Sequence, residues 1–504
     1  MSLLPVELWY DVITHLSKTD LRSCLGVSRI FHDIALKQTF SSITLYFGGM
    51  YLLHTLRPRF VLEKNSEAVE YDEKLYETTL DILVRLSEDV QFAAVVQSIT
   101  IVWERSSMSF QYIDKSTMSS LLKALVNLPH LKAFHWYGDW PDLEEADDLP
   151  NKLSLLCQSL VSLRLPRSAD VLIRSSGRSL KLGQLKNLRS MTCYEHPDVD
   201  CSRHEADNPG NVDFQEIMYN NESSLDSVEV DARAFMESTP AFSRLTFLHV
   251  QNTTDDLLPR LGLVLREVPS LQSLSLHTGD AQPDGAFALL QGHSSDMPQL
   301  NSLRISSHGW VNAERSAPFI DALQQLKSLR RLDLDFVFDD DPTIILSPIL
   351  HRRSPIEVLG LNLERAAPRS TSSMTWTYEQ CERLSDCLPD SLLALRITST
   401  FERVDCYTMP LLDRLGQLSS LRFLYIANEG GFHPFLATDL AADYASLATI
   451  GVNDRIWDVS RVDGIAKLHH WADPQILIRP KEMFASEDDH WLISHCCISQ
   501  YTCS

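Results

Sequence analysis

One spacing governs this chain. An apolar residue, two others, a second apolar residue, one other and a third apolar residue recur from Phe40 to Val452. The copies are Phe40-Ile43-Leu45, Val96-Ile99-Ile101, Leu131-Phe134-Trp136, Leu160-Leu163-Leu165, Leu188-Met191-Cys193, Leu225-Val228-Val230 and Leu245-Leu248-Val250. They continue as Leu271-Leu274-Leu276, Leu300-Leu303-Ile305, Leu329-Leu332-Leu334, Ile356-Leu359-Leu361, Leu392-Leu395-Ile397, Leu421-Leu424-Ile426 and Leu447-Ile450-Val452. Most successive copies start 26–29 residues apart, as from Leu245 to Leu271 and from Leu271 to Leu300. The last two apolar positions alternate at period two, as a short strand with one buried face requires. Between copies the apolar residues return at helical spacing, over Met118–Val126, Leu257–Val268, Phe319–Leu326, Ile344–Leu350, Tyr378–Leu388 and Leu411–Leu418. One strand and one helix cannot bury their own apolar side, so neighbouring copies must stack, with the strands parallel.

Pro129, Pro269, Pro298, Pro355 and Pro389 fall between helix and strand, where they end the helix and force an extended entry. The pattern resembles the leucine-rich repeat, at the upper end of its length range. The resemblance implies a curved solenoid with an inner parallel sheet. Two departures stand out. The family's Asn or Cys three residues past the last apolar residue of the strand is replaced by Thr253, Gly279, His308 and Val337 in successive copies, so an asparagine ladder is lost and irregular repeats are expected. Phe40 to Val96 spans about two repeats, so an irregular or helical insertion is expected at about 50–92, with helices over Tyr51–Leu56 and near Lys74–Val90. The segments Asp139–Pro150, Cys193–Val212 and Glu364–Thr377 read as exposed loops, and Ile476-Leu477-Ile478 as a run that closes the sheet.

The N-terminus carries a second pattern. Pro5 suits a first helical turn, Leu8, Val12 and Leu16 share a helical face, and Glu7 and Asp11 favour the positive helix end. Thr19 can cap a second helix starting at Asp20-Leu21, and Ser28 a third through Phe31, Ile34 and Ala35. Three helices this short need a further partner for their apolar faces. The order Leu4-Pro5-x-Glu7-Leu8, Asp20-Leu21 and Val27-Ser28 resembles the F-box, with Phe31 where that family often has Trp. The resemblance implies binding to the Skp adaptor of SCF-type cullin–RING ubiquitin ligases. It assigns Leu4, Pro5, Leu8, Val12, Leu16, Leu21, Leu25 and Val27 to adaptor contact or to packing of the motif.

Composition narrows the partners. The net charge is −22, and the first 40 residues hold four of each sign, so the acidic surplus lies beyond them. Such a surface repels a phosphate backbone, which argues against nucleic acid. No apolar run approaches a membrane span, and the first residues do not read as a signal peptide. Ten cysteines without a regular framework read as reduced thiols, placing the protein in the cytoplasm or nucleus. No phosphate-binding glycine loop, nucleophile elbow or His-Glu-x-x-His helix occurs, and Cys496, Cys497 and Cys503 with His490 and His495 lack a Cys-x-x-Cys frame. Neither catalysis nor a metal or cofactor is expected.

The resulting expectation is an α/β protein: an F-box at 1–39, a repeat solenoid at 40–480 and a tail at 481–504. It would act as the substrate receptor of a ubiquitin ligase, or alternatively as a repeat scaffold outside one. Between two buried strand residues the side chain points away from the core. Those positions include His135, Arg164, Thr192, His249, Arg304, Asp333, Gly360, Arg396, Tyr425 and Gly451, with Asp335 and Asn362 next along. Arg304, Asp333, Asp335, Arg396 and Tyr425 form the expected target-binding strip, and the acidic loop Asp142–Asp148 is the second candidate.

Overall fold

The apolar triplets become strands. The structure, a computed structural model, describes residues 5–16, 18–47, 66–103, 114–138, 140–141, 143–146, 148–166, 182–193, 212–232, 242–251, 253–278, 283–311, 314–338, 341–351, 355–365, 378–399, 409–428, 435–453, 455–471 and 484–493. The chain forms two compact units, residues 1–228 and 229–502.

The first unit opens with α1 (Val6–Thr14), α2 (Lys18–Cys24) and α3 (Arg29–Phe40). Pro5 sits at the N-cap of α1, and its carbonyl accepts from Leu8 N at 3.1 Å. Ser28 caps α3 by accepting from Phe31 N at 3.3 Å. Thr19 lies inside α2, one residue past its start, and not at its cap. The face of α1 that packs inward is Trp9 and Ile13 rather than Leu8 and Val12. Ile13, Leu21, Cys24, Ile34 and Ala35 form a small core, with Leu16, Leu25 and Phe31 against it. Phe31 meets the Trp9 ring at 4.8 Å.

From α3 the chain enters β1 (Ser42–Tyr46) through Ser41 alone. The insertion is helical: α4 (Ser66–Glu88) is longer than expected and leads to α5 (Val90–Val95). The expected helix over 51–56 lies outside the described residues. Then come β2 (Ser98–Trp103), α6 (Lys115–Val126), β3 (Ala133–Gly138), α7 (Asp148–Leu156), β4 (Ser162–Leu165), β5 (Ser190–Cys193) and α8 (Val212–Asn220). Asp89 and Asp114 cap α5 and α6, accepting from Phe92 N at 2.9 Å and Thr117 N at 2.7 Å. Strands β1 to β5 pair in parallel with Ile43, Ile99, Phe134, Leu163 and Met191 in register, and all five are buried. The unit boundary falls within β6 (Ser227–Asp231).

The second unit repeats the scheme with β7 (Phe247–Gln251), α9 (Leu258–Glu267), β8 (Ser273–His277), α10 (Asp284–His293), β9 (Ser302–Val311), α11 (Ala317–Gln325) and β10 (Arg331–Phe338). It continues with α12 (Pro342–Ile349), β11 (Val358–Arg365), α13 (Tyr378–Cys387), β12 (Ala394–Ser399), α14 (Met409–Gln417), β13 (Phe423–Asn428), α15 (Phe435–Asp443) and β14 (Thr449–Val452). Leu248, Leu274, Leu303, Leu332, Leu359, Leu395, Leu424 and Ile450 share one register across these parallel strands. The sheet then ends in an antiparallel hairpin, β15 (Arg455–Val462) and β16 (Ile465–His470), which the apolar pattern did not announce. The expected closing run at 476–478 lies outside the described residues. Last comes α16 (Glu487–Ile493).

Serines replace the missing asparagine ladder. The serine just before a repeat's first apolar residue bonds a carbonyl of the preceding repeat. Ser159 Oγ donates to Leu131 O at 2.8 Å and Ser224 Oγ to Leu188 O at 2.8 Å. In the second unit Ser270 reaches Leu245 O at 2.9 Å and Ser391 reaches Ile356 O at 2.7 Å. Each hydroxyl satisfies a carbonyl that the strand ladder does not reach. Asn221 performs a larger version: its Oδ1 accepts from Leu188 N at 2.9 Å and its Nδ2 donates to Leu185 O and Ile217 O, both at 2.8 Å.

Candidate functional site

On the sheet face opposite the leucines, one row of the second unit runs His249, Ser275, Arg304, Asp333, Gly360, Arg396, Tyr425, Gly451 in strand register. The outward positions are those the alternation dictates. Their environment is not. Arg304, Asp333, Arg396 and Tyr425 are all buried, at 5% exposure or less. The expectation of a solvent-facing target strip is therefore corrected, because residues 484–493 of the chain lie on it.

Asp333 is the hub. Its Oδ2 accepts from Arg304 Nε at 2.6 Å and its Oδ1 from an Arg396 terminal nitrogen at 2.6 Å. Burial pushes this carboxyl up, but the attraction of Arg396 and Arg304, with their hydrogen bonds, holds it below the usual carboxylate range. Arg396 stands two strands from Asp333 and reaches it across Gly360. A Cβ on Gly360 would lie 2.1 Å from Asp333 Oδ1. Gly451 does the same for Tyr425: a Cβ there would meet the ring at 2.1 Å, and the Tyr425 hydroxyl crosses it to donate to Asn453 O. Asp335 is half-buried and accepts from Asn362 Nδ2 at 2.7 Å.

Helix α16 completes the site. Arg304 donates a second hydrogen bond, to Trp491 O at 2.9 Å, and its guanidinium lies 4.9 Å from the Trp491 ring centre. Asp488, 5% exposed, accepts from Arg330 on both oxygens at 2.6 Å and from Arg331 Nε at 2.8 Å. Trp491, Leu492 and Ile493 pack with Val358, Ala394, Phe423, Ala427, Ile456 and Trp471. Asp489 is pushed up to about 6, chiefly by burial, with Ser486 and Arg422 opposing the shift.

Two further places bear on function. In the first unit His135 is half-buried beside Ser162, with 2.9 Å between Nε2 and Oγ, and burial plus the Arg164 charge bring it down to about 4. Arg164 in turn lies over Tyr137, 4.3 Å from the ring centre. At the N-terminal helices Leu8, Tyr10, Val12, Val27 and Ile30 are 45–64% exposed. Of the residues the F-box resemblance singled out, Leu21 is buried, Leu16 and Leu25 pack on the small core, and Pro5, Leu8, Val12 and Val27 are exposed; Leu4 lies outside the described residues. In the acidic segment Trp140 is buried against Trp136 at 4.9 Å, Ala146 and Leu149 are buried and α7 begins at Asp148, so these described residues are not simply an exposed loop; Asp142 and Asp147 lie outside the described residues. The buried thiols of Cys157 and Cys381 are each pushed up to about 11 by burial, which leaves them poor nucleophiles.

The fold is that of a mixed α/β repeat protein, with stacked strand–helix units and a mostly parallel sheet in each unit. No family model and no curated protein matches the chain. Among solved structures it is similar to the leucine-rich repeat-containing protein LegL7 of Legionella pneumophila, at 12% identity and a TM-score of 0.26, over 75% of this chain and 88% of that one. A Bacteroides fragilis protein is similar at 14% identity and a TM-score of 0.29, over 50% of this chain and 68% of its own. Among the described residues no helix is long and apolar enough to cross a membrane, and no group of His, Cys, Asp and Glu is placed to hold a metal.

Sequence reasoning missed Arg330, Arg331, Asp488 and Trp491. A signal was present. Two of the outward positions hold glycine beside a charged or aromatic neighbour, which marks side chains lying flat across the sheet under a cover.

Proposed function

We propose that the chain is a non-catalytic substrate receptor of an SCF-type ubiquitin ligase, working in the cytoplasm or nucleus. One surface would hold the Skp adaptor and through it a cullin–RING ligase; the repeats would hold a protein target. Its contribution is effective concentration, since ubiquitin transfer occurs on a partner enzyme. The observation that carries the reading is the apolar surplus at the N-terminus. The three helices already bury one face around Ile13, Leu21 and Ile34. They still present Leu8, Tyr10, Val12, Val27 and Ile30 to solvent, and three of these are positions that the F-box resemblance assigns to the motif. Each is about half exposed, so burying the rest of an aliphatic one is worth about 1 kcal/mol, and together they support docking to an apolar partner.

The test is co-purification with the Skp adaptor. Leu8→Asp with Val12→Asp should abolish it while the fold survives, because neither side chain belongs to the small core. Adaptor capture that persists in this folded variant would remove the ligase reading. What would then stand is the alternative, a protein-interaction scaffold acting outside a ubiquitin ligase.

A further inference from the structure

We propose that the face of β9 to β13 beneath α16 is a receptor site for a short helical peptide bearing an acidic residue three positions before an aromatic one, and that α16 is the chain's own copy of that ligand. The proposal stands apart from the adaptor reading; either can fail without the other.

Three separate contacts hold α16, and each reads a transferable feature. Arg330 and Arg331 clamp one carboxylate, that of Asp488. Charge-assisted bonds of this kind are strong and geometrically selective. Arg304 donates to the main-chain carbonyl of Trp491, in the last described turn of α16. That contact reads backbone and helix end, so it is indifferent to side-chain identity. The same guanidinium faces the aromatic ring, and the apolar pair Leu492-Ile493 meets the cluster of Val358, Ala394 and Phe423.

The receptor side is built in advance. Asp333 fixes Arg304 from below and is itself fixed by Arg396 across Gly360. None of these three belongs to the tail. Charge agrees with this assignment. In a chain of net charge −22, this face turns Arg330 and Arg331 to Asp488, and the charge of Arg422 acts on Asp489. Helix α16 brings Glu487, Asp488 and Asp489. Twelve residues, 472–483, join Trp471 to Phe484, so the occupant is tethered close to its site. Because the occupant belongs to the same chain, it reaches its site without a bimolecular step. A competing peptide must displace that occupant, which weakens its apparent affinity by the fraction of chains that are open.

The experiment uses the full chain and a labelled peptide spanning Phe484–Ile493. Asp488→Arg with Trp491→Ala should release α16. The labelled peptide is then expected to bind the variant at least about ten-fold more tightly than it binds the unaltered chain. Adding Arg330→Glu and Arg331→Glu to that variant should abolish binding, and a peptide carrying Asp488→Lys should restore it. A folded release variant with no affinity for the peptide overturns the proposal. Should the release variant not fold, a protease site placed within residues 472–483 decides. After cleavage, excess labelled peptide should exchange for the severed tail. A severed tail that does not exchange, or a chain that unfolds on losing it, shows α16 to be structural and overturns the proposal equally.

Discussion

Gly360→Ala tests the buried network most directly, because the change adds one methyl and removes nothing. The added Cβ would lie 2.1 Å from Asp333 Oδ1, 2.6 Å from Asp333 Cγ and 3.3 Å from Arg396 Nε. These atoms cannot move apart cheaply, since Asp333 is held by Arg304 at 2.6 Å on its other oxygen. The carboxylate must rotate out of one ion pair, leaving a buried guanidinium poorly paired. Breaking a buried pair costs about 3–5 kcal/mol. Replacing a strand glycine by alanine returns about 0.5–1 kcal/mol of backbone entropy. The net expectation is a loss of about 2–4 kcal/mol, read by urea denaturation followed by circular dichroism. Hydrogen exchange should localise the loss to β10, β11 and β12. Combining Gly360→Ala with Asp333→Ala gives the decisive comparison. Once the carboxylate is gone the methyl's two sub-3 Å clashes are removed and only Arg396 Nε remains at 3.3 Å, so the two changes together should cost about as much as Asp333→Ala alone. A Gly360→Ala chain within about 0.5 kcal/mol of the original, or fully additive costs, would refute the crossing geometry.

Other outcomes follow from the same contacts. Asn221→Ala removes three buried hydrogen bonds, and should destabilise the first unit by about 2–4 kcal/mol in urea melts. His135 sits below its ordinary value, at about 4, so the unfolded chain binds the extra proton between pH 6.5 and 4. Stability of the first unit should therefore fall as pH drops through that window, and His135→Gln, which can still bond Ser162, should flatten the slope. Asp489 is raised to about 6, so its neutral form is preferred when α16 is docked. Docking, followed by proteolysis of residues 472–483, should tighten as pH falls from about 7 to 5, and Asp489→Asn should remove that dependence. Asp114→Ala deletes the cap of α6, and should cost about 1 kcal/mol in thermal melts.

Much of the fold was legible because each repeat states it locally. Leu303 and Ile305, or Leu424 and Ile426, need only period-two alternation to form a strand with one buried face. The helices Tyr378–Cys387 and Met409–Gln417 fall where the helical spacing put them. The serine ties were not read, although a Ser-Leu pair opens the copies at Ser159, Ser224, Ser270 and Ser391. What could not be read was the second face. At the N-terminus, spacing put Leu8, Val12 and Leu16 together, yet the inward face is Trp9 and Ile13. A helix with apolar residues on two sides does not say which side its own chain will cover.

The same limit applies to the candidate site. Alternation fixed which way Arg304, Asp333 and Arg396 point, since a strand leaves no other choice once Leu303 and Leu332 are buried. Whether those side chains meet solvent, a partner or the chain itself depends on contacts between residues far apart in sequence. Arg304 and Trp491 are 187 positions apart, and Arg330 and Asp488 are 158. No local period encodes such a pairing. The sequence by itself determined the repeat strands, many of the helices between them and the direction of the outward side chains on those strands, because these follow from neighbours a few residues away; the closing hairpin β15–β16 carried no such signal. Only the tertiary structure decided that α16 covers the arginines, because that rests on charge and shape brought together by the stacked repeats.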